Sequence, residues 1–165
     1  MQITIRPTTP TDLGEIHQLI AALADYEKLS DRFVLTTELL REGLFGNAPS
    51  ARCILAYADE EPAGFALFFT NFSTFLGKPG LYLEDLFVKP HLRGNGIGKS
   101  LLRALATIAQ ENNYGRMEWA VLDWNTPSIE FYKSLGAVPM NEWTVFRLDA
   151  NAIAELAANP QNASA

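Results

Sequence analysis

Cysteine is almost missing from this sequence: Cys53 is the only one in 165 residues, which excludes a disulfide framework within the chain. It sits in the apolar run Cys53-Ile54-Leu55-Ala56-Tyr57, where a thiol serves as a small buried hydrophobe. Histidine is scarce as well. His17 and His91 stand far apart and outside any His/Cys cluster, so no metal is expected. Long apolar runs are absent; nothing approaches the roughly 20 residues of a membrane span. Met1-Gln2-Ile3-Thr4-Ile5-Arg6 reads as a strand and has no signal-peptide core, so no membrane partner and a cytoplasmic location are expected. Positive charge is in deficit too. Thirteen Lys and Arg against nineteen Asp and Glu give a net charge of −6 and a pI near 4.9. Nucleic-acid binders carry a basic face, so no nucleic-acid partner is expected. An acidic chain suits a cationic substrate, although the same charge also serves solubility.

What is present belongs to a folded protein. Hydrophobic residues make up 48% and aromatics 11%, enough apolar surface for one core at this length. A single domain is expected over 3–149, with 150–165 as the end of a C-terminal helix and a frayed tail. After the first strand, Thr9-Pro10-Thr11-Asp12 offers capping chemistry, and Leu13, Ile16, Leu19, Ile20 and Leu23 recur at helical spacing. That helix is predicted to run to about Leu29. A second is predicted over 37–45, stopped by Gly46-Asn47-Ala48-Pro49. Apolar runs at 52–58 and 63–72 read as a hairpin, 81–88 as the next strand, 98–113 as a helix and 117–122 as a strand. A shorter helix begins near Pro127, with Gly136 as its C-terminal stop, and a last strand is predicted at 144–148. The order βααβββαβαβ implies an α/β (α+β) fold: a mixed, mostly antiparallel sheet flanked by helices.

The informative segment runs from Leu86-Phe87-Val88-Lys89-Pro90 through Arg93-Gly94-Asn95-Gly96-Ile97-Gly98-Lys99-Ser100: a strand, a turn and a helix start. Glycines at 94, 96 and 98 let backbone N–H groups approach an anion, and the helix aims its positive end at the same place. Lys89, Arg93, Lys99 and Arg103 gather here, against the global charge. Spacing separates the possible ligands. A P-loop needs Gly where Arg93 stands, and the dinucleotide fingerprint Gly-x-Gly-x-x-Gly meets Lys99 in place of its last glycine. Arg-x-x-Gly-x-Gly, from Arg93, Gly96 and Gly98, does fit, and it resembles the pyrophosphate-binding signature of the GNAT superfamily.

Further motifs carry the same resemblance. Tyr82-Leu83-Glu84-Asp85-Leu86-Phe87-Val88, Asp123-Trp124-Asn125-Thr126-Pro127-Ser128-Ile129-Glu130-Phe131-Tyr132, Ile5-Arg6-Pro7 and Ala24-Asp25-Tyr26-Glu27 are similar to the spermidine/spermine (diamine) acetyltransferase branch. Val121-Leu122-Asp123-Trp124-Asn125 looks most like the thialysine N-epsilon-acetyltransferases. The resemblance implies the acyl-CoA N-acyltransferase fold, acetyl-CoA as cosubstrate, a small-molecule amine as acceptor, and a homodimer. It implies cofactor contacts from Leu86, Phe87, Val88, Arg93, Gly94, Asn95, Gly96, Ile97, Gly98, Lys99, Asn125, Ser128 and Tyr132.

The chemistry asks for a base and an acid. An alkylammonium, with a pKa near 10.4, is no nucleophile until a proton leaves. Glu84 and Asp85 are mid-strand carboxylates, and regular alternation sends them to opposite faces. The resemblance favours Glu84 as base, directly or through water, with structural pairing as the alternative for either. It makes Tyr132 the acid for the departing thiolate, where pattern alone reads a core aromatic. Tyr26 and Glu27, with Glu84 and Asp85, are the implied acceptor-binding residues; an aromatic beside a carboxylate suits an ammonium. Polyamine enzymes have an acid and a Trp in the segment that here reads Phe72-Ser73-Thr74-Phe75-Leu76-Gly77-Lys78. The missing acid favours a lysine-like amine or short diamine over spermidine.

Overall fold

The computed structural model describes residues 1–158, so the tail expected from 159 onward lies outside the described residues. Two compact units form, one spanning Met1–Ala120 and a second beginning at Val121.

The first unit holds one five-stranded sheet in the order β1 (Ile3–Pro7), β2 (Arg52–Ala58), β3 (Glu61–Ser73), β4 (Lys78–Val88) and β5 (Met117–Trp119). The first four are antiparallel neighbours, and β5 lies parallel to β4. A parallel neighbour needs a crossover, supplied by α3 (Ile97–Glu111). The mixed, mostly antiparallel sheet read from the sequence is thus the one that forms. Alternation sorts its side chains. Cys53, Leu55, Phe65 and Phe87 pack with Leu13, Ile16, Leu19 and Leu23 of α1 (Leu13–Tyr26) and Leu40 and Leu44 of α2 (Thr37–Phe45). Ile54, Ala66, Phe68, Leu81 and Leu83 are buried on the opposite face, where α3 contributes Ile97, Leu101 and Leu105.

Arg6 on β1 fixes the start of α1. Its guanidinium forks onto both Asp12 oxygens at 2.8 Å and donates to the Tyr57 hydroxyl at 2.8 Å, while that hydroxyl donates to Glu15 at 3.1 Å. The fork holds the Asp12 carboxyl far below the usual carboxylate range. Thr36 caps α2, its side chain accepting from the Leu39 amide at 3.2 Å.

Two boundaries and one register depart from the sequence reading in ways that bear on the site. Helix α1 stops at Tyr26, short of Leu29, because Lys28 takes φ +60 and the Leu29 amide turns back to the Ala24 carbonyl at 2.8 Å. This closure normally uses glycine, so a lysine there stores local strain. Strand β5 ends at Trp119 rather than 122, and only Leu81–Leu83 of β4 pair with it. Between Leu67 and Phe68 of β3 the register slips: Leu67 faces Asp85 and Phe68 faces Leu83, so Glu84 is the extra residue of a β-bulge.

In the second unit, α4 (Thr126–Ser134) and α5 (Ala150–Ala158) are helical. The strand predicted at 144–148 does not form: these residues pair with no strand among the described residues. Val145, Phe146 and Leu148 supply the apolar content of a strand, but a strand also needs a neighbour for its backbone groups. Val145 and Phe146 are left 82% and 90% exposed.

Candidate active site

The turn after β4 does what its glycines promise. Gly94 and Gly96 take φ +81 and +84, a region that side chains disfavour, and nothing crowds the space where a Cβ would stand. Gly96 is the N-cap of α3 and brings no side chain to cap the first turn. The first amides of α3 therefore face outward, as an anion site requires. A hollow of about 310 Å³ opens beside them, lined by Ile3, Asn95, Gly96, Lys99, Ser100 and Arg103. Ile3 has no signal in the sequence, because no local pattern brings the first strand to this loop.

The four clustered cations divide. Lys89 is engaged by Glu61 at 3.1 Å, which His91 also contacts at 3.1 Å. Lys99 and Arg103 line the hollow. Arg93 turns elsewhere: its Nε donates to the Val88 carbonyl at 3.0 Å, and its guanidinium lies 4.2 Å from the centre of the Tyr26 ring and 5.7 Å from that of Phe87. A diphosphate, with its charge and many acceptor oxygens, suits the outward amides, Lys99 and Arg103.

Leu86, Phe87 and Val88 pair with Ala66, Phe65 and Gly64 of β3. On its other side, β4 beyond Leu83 has no neighbouring strand among the described residues. An open sheet edge therefore leads from the bulge to the glycine turn, and such an edge suits an extended ligand carrying amides. Gly64 permits close packing there: a Cβ would stand 2.3 Å from the Phe87 carbonyl oxygen.

The bulge changes the arrangement of the two carboxylates. Regular alternation is broken at Glu84, which is exposed. Asp85 falls in register with Phe87 on the face covered by α1 and is largely removed from water. Burial pushes its carboxyl up to about 6, aided by the negative charges of Glu84 and then Glu27. Glu27 closes the end of α1, and burial raises its pKa as well. Two carboxylates from α1 and β4 thus share one field beside the open edge. Cys53, close enough to feel Asp85, is pushed up to about 12, chiefly by burial, and stays a neutral thiol.

In the second unit, Asn125 is buried and its side chain accepts from the Ser128 amide at 3.3 Å, making it the N-cap of α4. Tyr132 is half-buried in the last turn of α4, its ring 5.5 Å from that of Phe131. Gly136, at φ +89, ends the turn as expected: its amide bonds to Lys133, and the Ala137 amide returns to the Tyr132 carbonyl. Among the described residues, no group of three or more His, Cys, Asp or Glu is disposed to hold a metal.

Known proteins resemble this chain in sequence and in fold. The chain is 39% identical over 166 residues to the thialysine N-epsilon-acetyltransferase of Bos taurus, covering 94% of this chain and 97% of that protein. It is 32% identical over 194 residues to an L-ornithine N5-acetyltransferase of Arabidopsis thaliana, covering 90% and 85%. Among solved structures, an integron cassette protein of V. cholerae superposes with a TM-score of 0.81 at 28% identity, over 96% of this chain and 99% of that one. An aminoglycoside acetyltransferase from an uncultured soil sample shares the fold, with a TM-score of 0.76 at 20% identity over 89% and 95%. The sequence profile of the GNAT acetyltransferase family matches residues 16–137, so the chain belongs to that family.

Proposed function

We propose that the chain acetylates the terminal primary amine of a lysine-like amino acid or short diamine, using acetyl-CoA. The observation that carries this reading is that Asp85, beside the open edge of β4, lies within the electrostatic reach of Glu84 and Glu27. With a pKa of about 6, Asp85 is ionised at neutral pH, and with the carboxyl of Glu27 beside it the site suits an ammonium. The acceptors in the names of the thialysine and ornithine relatives are amino acids with such an amine, which supports the same class.

The residues divide the work as follows. Backbone groups at Leu86, Phe87 and Val88 and the amides of 94–99, with Lys99 and Arg103, bind the cosubstrate; Asn125 and Ser128 shape the start of α4. Glu84 takes a proton from the ammonium, directly or through water. The freed nitrogen attacks the thioester carbonyl, so that a C–N bond forms and the C–S bond breaks. Tyr132 gives its proton to the departing thiolate. Direct attack uses no thiol nucleophile of the chain, in keeping with the inert Cys53. The chain acts in the cytoplasm and as a homodimer, and the exposed apolar side chains Val138, Trp143, Val145 and Phe146 support the association.

Free-thiol release from acetyl-CoA tests this with thialysine, lysine, ornithine, 1,3-diaminopropane and spermidine as acceptors. The lysine-like amines and the diamine should exceed spermidine in kcat/KM. Acetyl-CoA binding without turnover of any of these amines would refute the acceptor class. Binding of ATP with magnesium in place of acetyl-CoA would refute the reading of the loop.

A further inference from the structure

Arg93 opens the phosphate-loop motif, yet its side chain is committed to the amine side of the molecule. It leaves the backbone immediately after the turn Pro90–Leu92, and Arg93 itself has extended backbone at φ −66 and ψ 159. From there it folds back along the end of β4. Its Nε donates to the Val88 carbonyl at 3.0 Å, and the guanidinium lies over the Tyr26 ring at 4.2 Å, with Phe87 at 5.7 Å. A planar guanidinium can bond through its edge while its face stacks on a ring, a combination that a lysine ammonium lacks.

What this tie holds is the end of α1. Tyr26 is the last residue of that helix and Glu27 its C-cap, followed by Lys28 in the left-handed region. A helix end closed by a non-glycine residue at positive φ keeps its shape only where its surroundings hold it. Glu27 is one of the charges that raise Asp85, so the spacing of those two carboxylates depends on where α1 stops relative to β4. Arg93 is anchored on β4 and stacked on α1, and it spans that interval.

We infer that Arg93 is a positioning residue for the acceptor: by stacking on Tyr26 it fixes Glu27 relative to Asp85, while the diphosphate is held by the backbone of the loop with Lys99 and Arg103. The inference rests on the acetyl-transfer reading above and assigns the motif arginine to the other substrate of that reaction.

Arg93→Met, Arg93→Lys, Tyr26→Leu and the Arg93→Met/Tyr26→Leu double variant test it. Three measurements apply: KM and kcat for lysine and 1,3-diaminopropane, the Kd of CoA by calorimetry, and hydrogen exchange of the Glu27 and Leu29 amides. Arg93→Met and Tyr26→Leu should each raise amine KM about five- to tenfold with kcat less affected. The double variant should be no worse than either single, because both remove one contact. Arg93→Lys should recover only part of the loss. CoA Kd should change by less than about twofold, since the loop backbone is untouched. The two amides should exchange about fivefold faster in Arg93→Met, a readout that needs no turnover. A tenfold loss of CoA affinity with amine KM and exchange unchanged would make Arg93 a diphosphate ligand and overturn the inference. Wild type that turns over neither amine would refute the acceptor class alone, leaving exchange at Glu27 and Leu29 to decide the role of Arg93.

Discussion

Asp85 on β4 lies within the field of Glu27 at the end of α1, and the two carboxylates resist being charged together. Burial contributes most to the raised pKa of Asp85, then Glu84, then Glu27, and the result is about 6. An acceptor ammonium entering that field would relieve the repulsion.

A pH dependence follows. If the ionised pair receives the amine, kcat/KM falls as pH drops through about 6. Glu27→Gln removes one like charge, so this acidic limb should move to lower pH. Asp85→Asn should abolish the limb and lower kcat/KM about a hundredfold. Thiol-release rates over pH 5–9 check both, and a limb that ignores Glu27→Gln would separate the two residues.

Stability should fail from the acid side for a different reason. Asp12 has a folded-state pKa below its ordinary 3.8 because Arg6 and Thr9 bond to its charged form. Its contribution is therefore complete above that ordinary value and is lost as pH falls through the lower, folded one. Asp12→Ala should cost about 2–3 kcal/mol at pH 7 by stranding the half-buried Arg6. The deficit relative to wild type should shrink below pH 3, as urea unfolding at pH 7, 4 and 2.5 would measure.

Gly96→Ala isolates the conformation of the phosphate turn. No atom obstructs the added methyl, so its cost is the left-handed φ of +84, on the order of 1–2 kcal/mol. CoA affinity should drop about tenfold as the turn relaxes, while amine KM at saturating acetyl-CoA stays unchanged. Calorimetric titration with CoA reads the first effect and initial rates the second.

Tyr132→Phe tests the acid. Removing the hydroxyl keeps the ring beside Phe131, so CoA should bind as before while kcat falls about a hundredfold. Equal rates in the two proteins would remove Tyr132 from the chemistry.

The sequence made the loop and most elements legible because their signals are local. Glycines at 94 and 96, the stop at Gly46-Asn47-Ala48-Pro49 and the apolar spacing of Leu13, Ile16 and Leu19 each report on a few neighbouring residues. The carboxylates were legible as residues but not as geometry. Whether Glu84 or Asp85 turns toward α1 depends on a bulge set by pairing with β3, and alternation gives no sign of it. The direction of Arg93 was hidden likewise, since Tyr26 lies 67 positions earlier in the chain. At 144–148 the apolar residues Val145, Phe146 and Leu148 promised a strand, and the missing ingredient was a partner.

The unpaired margin of β4 past Leu83 has an evolutionary corollary. The hold proposed for its main-chain groups would be blind to what Leu86 and Val88 carry, so those positions could drift among residues that favour an extended conformation without loosening it. Proline is the exception, because it deletes a donor. Divergence in acceptor preference can thus accumulate around this strand while the grip on the common acetyl donor persists.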